Sequence, residues 1–375
     1  MRRRALGVVR TLTALDRLTD VLTVLADDVR VETRFTRAGG SEFATDLSGH
    51  FRRAGMRVVP WSEATGPGFD VAISPSGNGA LHELRAPVLT LSHGAGHHKH
   101  LPSGEGFTPE VAGLATSQLV HEGRVVPSAV CLSHPDQFGL LARECPRAAD
   151  RARVVGDPCF DRLRASVPAR DAYRRLLGSG RRELVLLAST WGPNALFARR
   201  PTLAEDMVEA LPERDYQVAL VLHPNVWDRH SPWQIREWTE RARRKGLVLV
   251  PPEHGWKATL VAADVVVSDH GSLGFYAAAL GTRLLLAGFG HEEVVPGTPR
   301  EELGRRAAYL CRGVALEEQV RRAAPVDDHT GLVKSAFAHP GEAAAALRRV
   351  LYELLDLDEP SWRAVARPVD PFVPE

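Results

Sequence analysis

The sequence predicts an α/β protein of two domains, each built on a parallel sheet wound with helices, and three observations carry that prediction. Its 375 residues exceed what one hydrophobic core comfortably holds. From residue 183 onward, apolar runs of strand length alternate regularly with stretches of helical length. A second, less regular series of short apolar runs fills the first half. The expected division is 1–165, 166–340, and a C-terminal helix and tail over 341–375.

In chain order, residues 5–10 and 29–33 read as the first strands. Between them, 14–26 carries Leu15, Leu18, Leu22 and Leu25 at helical spacing, a stripe suited to core packing. Residues 57–60, 70–74, 87–91 and 129–132 continue the strand series. The polar segment 160–182 holds a helix over 170–177, flanked by Pro168 and the glycines at 178 and 180, and is the expected junction and hinge. Strands follow at 183–188, 217–222, 247–250, 265–268 and 283–287. Helices at 202–211, 233–245, 256–263 and 272–280 separate them, and right-handed crossovers would place these on both faces of one sheet. The Ala-rich stretch 341–355 reads as a helix, expected by analogy with other two-lobed folds to cross back to the first domain, and the Pro-containing tail beyond it has little to pack with.

Lys plus Arg total 47 against 46 for Asp plus Glu, so no net field draws in nucleic acid or an anionic membrane. No apolar run approaches the roughly 18 residues that span a bilayer, since 273–286 is broken by Tyr276, Thr282 and Arg283. The start, 1–4, is basic like the head of a signal peptide, but Arg10, Asp16, Arg17 and Asp20 interrupt any apolar stretch after it. The cysteines, Cys131, Cys145, Cys159 and Cys311, show neither zinc nor disulfide spacing. A cytoplasmic protein without transmembrane segment or nucleic-acid partner is expected, with peripheral membrane contact left open.

Four places could carry chemistry. Ser92-His93-Gly94-Ala95-Gly96-His97-His98-Lys99-His100 follows an apolar strand, and loops leaving the C-terminal ends of parallel strands face the ligand crevice. A neutral imidazole there suits proton abstraction from a hydroxyl, so His93 is the candidate general base. The rival is a metal site built from these histidines, which lacks the carboxylate or cysteine such sites usually add. For His97, His98 and His100 an exposed basic loop is the expectation. His223-Pro224 ends the strand at 217–222, where Pro224 stops the strand and leaves His223 free to meet phosphate or merely to cap the strand end. Ser268-Asp269-His270-Gly271-Ser272 turns a buried strand into a helix, offering hydroxyls and first-turn N–H groups to an anion. Ser272 also fits a simple N-cap. Ser189-Thr190-Trp191-Gly192 offers two hydroxyls and a glycine turn, or a plain βα turn. Neither GxxxxGK[ST] nor GxGxxG is present.

Taken in order, these segments resemble the CDP-glycerol glycerophosphotransferase family, which builds the polyol-phosphate chains of teichoic acids. His93-Gly94 matches its His-Gly turn, and Gly156-Asp157-Pro158-Cys159-Phe160-Asp161 its Gly-x-Pro-x-x-Asp segment. Ser189-Thr190-Trp191 stands for Pro-Thr-Trp, His223-Pro224 for His-Pro, and Ser268-Asp269-His270-Gly271-Ser272 for the Ser/Thr-Asp-x-Ser-Ser turn. The resemblance spans about residues 70–290 and implies a GT-B fold, two Rossmann-like domains facing each other across a cleft. It further implies a transferase in which His93 and His223 are catalytic. Gly94, Ser189, Thr190, His223, Ser268, Asp269, His270, Gly271 and Ser272 would bind a nucleotide-diphosphate donor, without metal or other cofactor. A hydroxyl acceptor (a polyol phosphate, sugar or small molecule) would attack the distal phosphorus and release CMP. The sequence departs from the family where Ala95-Gly96-His97-His98 precede Lys99, where Gly271 replaces a serine and where Ser189 replaces proline. A sugar-nucleotide epimerase or hydrolase on the same scaffold, and a non-catalytic nucleotide-binding descendant, are the alternatives.

Overall fold

The computed structural model describes residues 3–41, 47–104 and 106–374, so Met1 and Arg2 of the basic start and Glu375 of the tail lie outside the described residues. The chain forms two compact units. The first comprises Met1–Arg162 with Ser335–Arg367, and the second Leu163–Lys334 with Pro368–Glu375.

The first unit holds β1 (Arg3–Val9), β2 (Val31–Arg37), β3 (Val71–Ser74) and β4 (Val88–Leu91), then a hairpin of β5 (His100–Ser103) and β6 (Gly106–Val111). A short pair, β7 (Val120–His121) and β8 (Arg124–Val125), precedes β9 (Pro127–Leu132) and β10 (Ala152–Val154). Six of these strands make one parallel sheet in the order β10-β9-β4-β3-β1-β2. Every residue of β3 and β4 is buried, which a parallel sheet covered on both faces requires. One face packs Val9, Ile73, Leu89 and Cys131 against Leu15, Leu18 and Val21 of the helix Leu12–Leu22. The other packs Leu6, Val8, Ala72 and Val88 over Val59 and Leu81.

Two expectations fail in this half. Val29 is 88% exposed and precedes β2, because the backbone turns at Asp28 and Arg30 before pairing begins. Residues 57–60 form no strand: Val58 makes a single bridge to Phe35, and Pro60 then opens the helix Trp61–Ala64.

In the second unit, β11 (Glu183–Ser189), β12 (Tyr216–Leu222), β13 (Val248–Val250), β14 (Val265–Ser268), β15 (Arg283–Leu286) and β16 (Ala308–Tyr309) form a parallel sheet ordered β13-β12-β11-β14-β15-β16. The helices Leu203–Ala210, Pro232–Arg244, Trp256–Ala262 and Ser272–Ala279 lie where the alternating pattern puts them. The chain is therefore a mixed α/β protein with two Rossmann-like halves. Among the described residues, no helix is long and apolar enough to cross a membrane.

The segment read as a polar junction is packed rather than open. The helix Pro158–Ser166 buries Phe160 and Leu163, and Arg170 and Arg174 in the next helix both pair with Asp264 at 2.6 Å. The tail also packs, against expectation. Val369 and Phe372 are buried, Tyr173 donates to the Val369 carbonyl at 2.7 Å, and Phe372 lies where a side chain at Gly255 would stand, 2.6 Å from that Cβ position. Two apolar residues suffice to anchor it.

The helix Ala343–Leu355 contributes Leu347, Val350, Leu351 and Tyr352 to the core of the first unit. Its start is fixed by Asp161, whose carboxylate accepts from the N–H groups of Gly341 and Ala343 at 2.6 and 2.8 Å. Loss of such a carboxylate cap costs about 1–2 kcal/mol. Asp161→Ala is therefore expected to lower the thermal midpoint and to speed hydrogen exchange at Gly341 and Ala343, and unchanged exchange there would remove Asp161 as the anchor.

Candidate functional site

In the first unit the chain leaves β4 through Ser92 into a closed loop. Gly94 N–H donates to Ser92 Oγ at 3.2 Å, Gly96 N–H to the Gly94 carbonyl at 2.9 Å, and Ser92 Oγ to the Gly96 carbonyl at 2.9 Å. Gly96 sits at φ 71, with Gln137 Nε2 2.5 Å and His98 2.9 Å from where a Cβ would be. His93 alone among the first three histidines of the segment keeps an exposed side chain. Protein crowded around its ring nevertheless makes the charged form costly. Burial first, then the charges of Arg17, His97 and Lys99, push its pKa down to about 4, against a smaller opposing effect of a hydrogen bond to the Pro75 carbonyl. A neutral imidazole keeps one ring nitrogen as a proton acceptor.

His97 and His98 are 3% and 2% exposed, which overturns their reading as part of an exposed basic loop. His97 Nδ1 donates to the Ala112 carbonyl at 3.0 Å, and His98 Nε2 accepts from Gln137 at 3.2 Å. Each imidazole is committed to its own neighbour, so the four histidines do not converge as ligands. Among the described residues no group of three or more metal-ligating side chains is gathered anywhere.

In the second unit β11 and β14 are adjacent although β12 and β13 intervene in sequence, and the crossovers run outward from this pair in opposite directions. Such a switch point opens a crevice at the C-terminal ends of the strands. Ser189-Thr190 and Ser268–Ser272 leave it on either side. Asp269 joins them: its carboxylate accepts from the N–H groups of Thr190, Leu196 and Gly271 at 2.9, 2.8 and 2.9 Å and lies 3.4 Å from Ser189 Oγ. A Cβ on Gly271 would come within 3.0 Å of that carboxylate and 3.1 Å of Thr190 Cβ, so the glycine in place of serine lets the two loops close.

Several residues expected to touch a donor are buried and bonded to protein groups. Asp269 is 0% exposed and spends both oxygens on backbone. His270 is buried, accepts at Nδ1 from Gly290 N–H at 3.2 Å and donates at Nε2 to Glu293 at 2.7 Å. Ser268 is buried and donates to the Ala188 carbonyl at 2.9 Å. Ser189 is buried too, accepting from Phe197 N–H at 3.0 Å, and Thr190 is nearly so.

His223 and Ser272 keep accessible side chains. The N-cap of the helix Ser272–Ala279 is Gly271, which has no side chain to bond the first-turn N–H groups, so Ser272 is the first helical residue and not the cap. His223 caps the helix Pro224–His230, its Nδ1 accepting from Asn225 N–H at 3.1 Å. This fixes the neutral ring as Nε2–H, a donor. His223 therefore suits contact with a phosphate oxygen better than proton abstraction.

Arg300 escaped the sequence reading. It is 2% exposed, donates to the His270 carbonyl at 2.7 Å and to Ser272 Oγ at 3.3 Å, and its guanidinium stands 5.5 Å from the Phe275 ring centre. Burial lowers its pKa to about 10, still well above neutrality, so a full positive charge sits beside the start of the helix. In sequence it stands in a Pro-Arg-Glu-Glu run, which reads as the solvated start of a helix and gives no signal in an Arg-rich chain.

No family model matches the chain, and no curated protein matches it by sequence. Solved structures do. A variant of the wall teichoic acid polymerase TagF superposes with a TM-score of 0.62 at 9% identity, over 95% of this chain and 89% of that one. The MnaA–UDP co-structure from S. aureus gives 0.52 at 11% identity, over 96% and 100% of the two chains. A putative UDP-N-acetylglucosamine 2-epimerase from Listeria monocytogenes gives 0.52 at 13% identity, over 96% and 99%. The fold is thus the one the resemblance implied, and it is shared by polymerase and epimerase alike.

Replacing Asp269 by Asn would set an amide N–H₂ against backbone donors. Because breaking a buried, charge-assisted network costs about 3 kcal/mol or more, Asp269→Asn is expected to lower the thermal midpoint by several degrees. A midpoint equal to wild type would show that the two loops close without it.

Proposed function

We propose that this protein is a transferase that moves a glycerophosphate, or a related polyol-phosphate or glycosyl group, from a nucleotide-activated donor such as CDP-glycerol to a hydroxyl acceptor. The observation supporting this most is the edge of the second sheet. There the ends of β12 and β14, on either side of β11, carry His223, the Ser272 hydroxyl and first-turn N–H groups, with the buried Arg300 charge bonded to Ser272. Such a set binds a diphosphate without a metal, and no cofactor is assigned.

On this reading His93 in the first unit removes the proton from the acceptor hydroxyl. The oxygen forms a bond to the distal phosphorus, the bridging P–O bond breaks, and the nucleoside monophosphate leaves with the bonding electron pair. Depressed basicity suits this role in one respect: His93 stays neutral throughout the physiological range. Gly94 allows close approach of backbone to acceptor, with no side chain in the way. A cytoplasmic setting goes with this reading.

Two measurements test it. A nucleotide conjugate at about 100 times its dissociation constant stabilises the native state by about 2.7 kcal/mol, so one member of a panel of CDP, UDP, GDP, ADP and dTDP conjugates should raise the thermal midpoint. His223→Ala and Ser272→Ala should each reduce that rise. No shift with any member at millimolar concentration would favour the non-catalytic alternative, and nucleotide release without acceptor the epimerase or hydrolase. With the donor in hand, His93→Ala should abolish turnover while leaving the ligand-induced shift intact. Because the pKa of His93 is lowered, its base form is lost only as pH falls through about 4, so the acid limb of kcat/KM should lie near 4 and not near the ordinary imidazole value of about 6.5. Normal turnover in His93→Ala would exclude His93 as the base.

A further inference from the structure

Arg17 lies on the helix Leu12–Leu22 and is 4% exposed, far from where an arginine ordinarily sits. Its guanidinium meets Asp157 through two parallel bonds, at 2.8 and 2.9 Å. The remaining donors turn to the histidine loop: Nε donates to the Ser92 carbonyl and Nη2 to the Gly94 carbonyl, both at 3.0 Å. These are the carbonyls on either side of His93. Asp157 is itself held, since its Oδ1 accepts from Phe160 N–H at 2.9 Å in the first turn of the helix Pro158–Ser166. A chain of charge-assisted bonds thus runs from that helix start through Asp157 and Arg17 to the backbone that carries the imidazole.

We propose that Arg17 is a positioning residue for His93, clamping the backbone on both sides of the imidazole while Asp157 aims the clamp. The inference rests on the reading of His93 as general base. A guanidinium is suited to the task because its planar fork reaches a carboxylate and two carbonyls at once, which a lysine ammonium on a flexible stem does not. The same fork brings a fixed positive charge toward the ring, together with His97 and Lys99, while the Pro75 carbonyl opposes them. Arg17 would therefore hold the direction of the imidazole and add to the lowering of its basicity that burial begins.

The helix offers its own control. Asp20, one turn beyond Arg17, forms a second buried pair with Arg162 at 2.6 Å, and Arg162 Nε donates to the Arg367 carbonyl at 3.1 Å. The test uses the full chain labelled with ¹⁵N, following the His93 imidazole through a pH titration and the exchange rates of the Gly94 and Gly96 amides. In Arg17→Gln, the His93 midpoint should rise from near 4 toward the ordinary imidazole value, and exchange at both glycines should quicken at least tenfold. Asp20→Asn should lower thermal stability and move neither readout. If Arg17→Gln leaves both readouts at wild type, or if Asp20→Asn moves them equally, Arg17 is only a structural ion-pair partner and the proposal fails. Should Arg17→Gln not fold, Arg17→Lys keeps the charge but not the fork: faster exchange at Gly94 and Gly96 supports the clamp, and wild-type exchange overturns it. These readouts need no turnover, so His93→Ala with full activity would remove the base assignment and leave the clamp standing, whereas an unmoved His93 in Arg17→Gln would remove the clamp alone.

Discussion

The C-terminal edge of a parallel sheet gathers backbone N–H groups that no strand can pair, and in this protein aspartate carboxylates take them up. Asp269 accepts from three such groups and ties the turn after β11 to the turn after β14. Asp157 accepts from Phe160 N–H and holds Arg17, and Asp161, one turn later, receives the start of the C-terminal helix. None of the three has a side chain available for chemistry, yet the loops that offer His93 and Ser272 have their shape because of them. A carboxylate with several N–H donors is among the stronger neutralised arrangements a protein interior allows, and it is intolerant of replacement because every substitute leaves donors without an acceptor.

The two units use opposite electrostatics. Around His93, burial and neighbouring cations favour the uncharged ring, giving a weak base that is available at any ordinary pH. Around Ser272, a guanidinium remains charged despite burial and lies beside a helix start whose cap has no side chain. The first environment keeps an imidazole uncharged, and the second keeps a guanidinium charged.

Much of this architecture can be read from sequence where burial on both faces makes apolar runs continuous. Leu184 to Ala188, Val218 to Leu222 and Val265 to Val267 are buried throughout, and their strands stand out. Elements of two or three residues such as β7, β8 and β16 cannot be seen, since no period is expressed over so short a length. The positions of His93, His223 and Ser272 at strand ends were legible for the same reason as the strands. Their partners were not. Arg17 and Asp20 look like the solvent face of an amphipathic helix beside Leu15 and Leu18, and only three-dimensional pairing with Asp157 and Arg162 reveals that the charged side is buried as well. His97 and His98 misled in the opposite direction, because a run of polar residues beside glycines resembles a surface loop until the hydrogen bonds to Ala112 and Gln137 are known.

The helix Ala343–Leu355 fills the core of the unit that begins at the other end of the chain, with Leu347, Leu351 and Tyr352 packed among Leu18, Phe35 and Ile73. A ribosome making this protein releases the first unit's sheet long before it makes the helix that covers one face. During that interval Leu163–Lys334 of the second unit must be synthesised, and the uncovered apolar face of the first sheet is a target for chaperones and for other nascent chains. Completion of the first unit is therefore a late event in biogenesis, set by the pace of translation and not by its own folding rate.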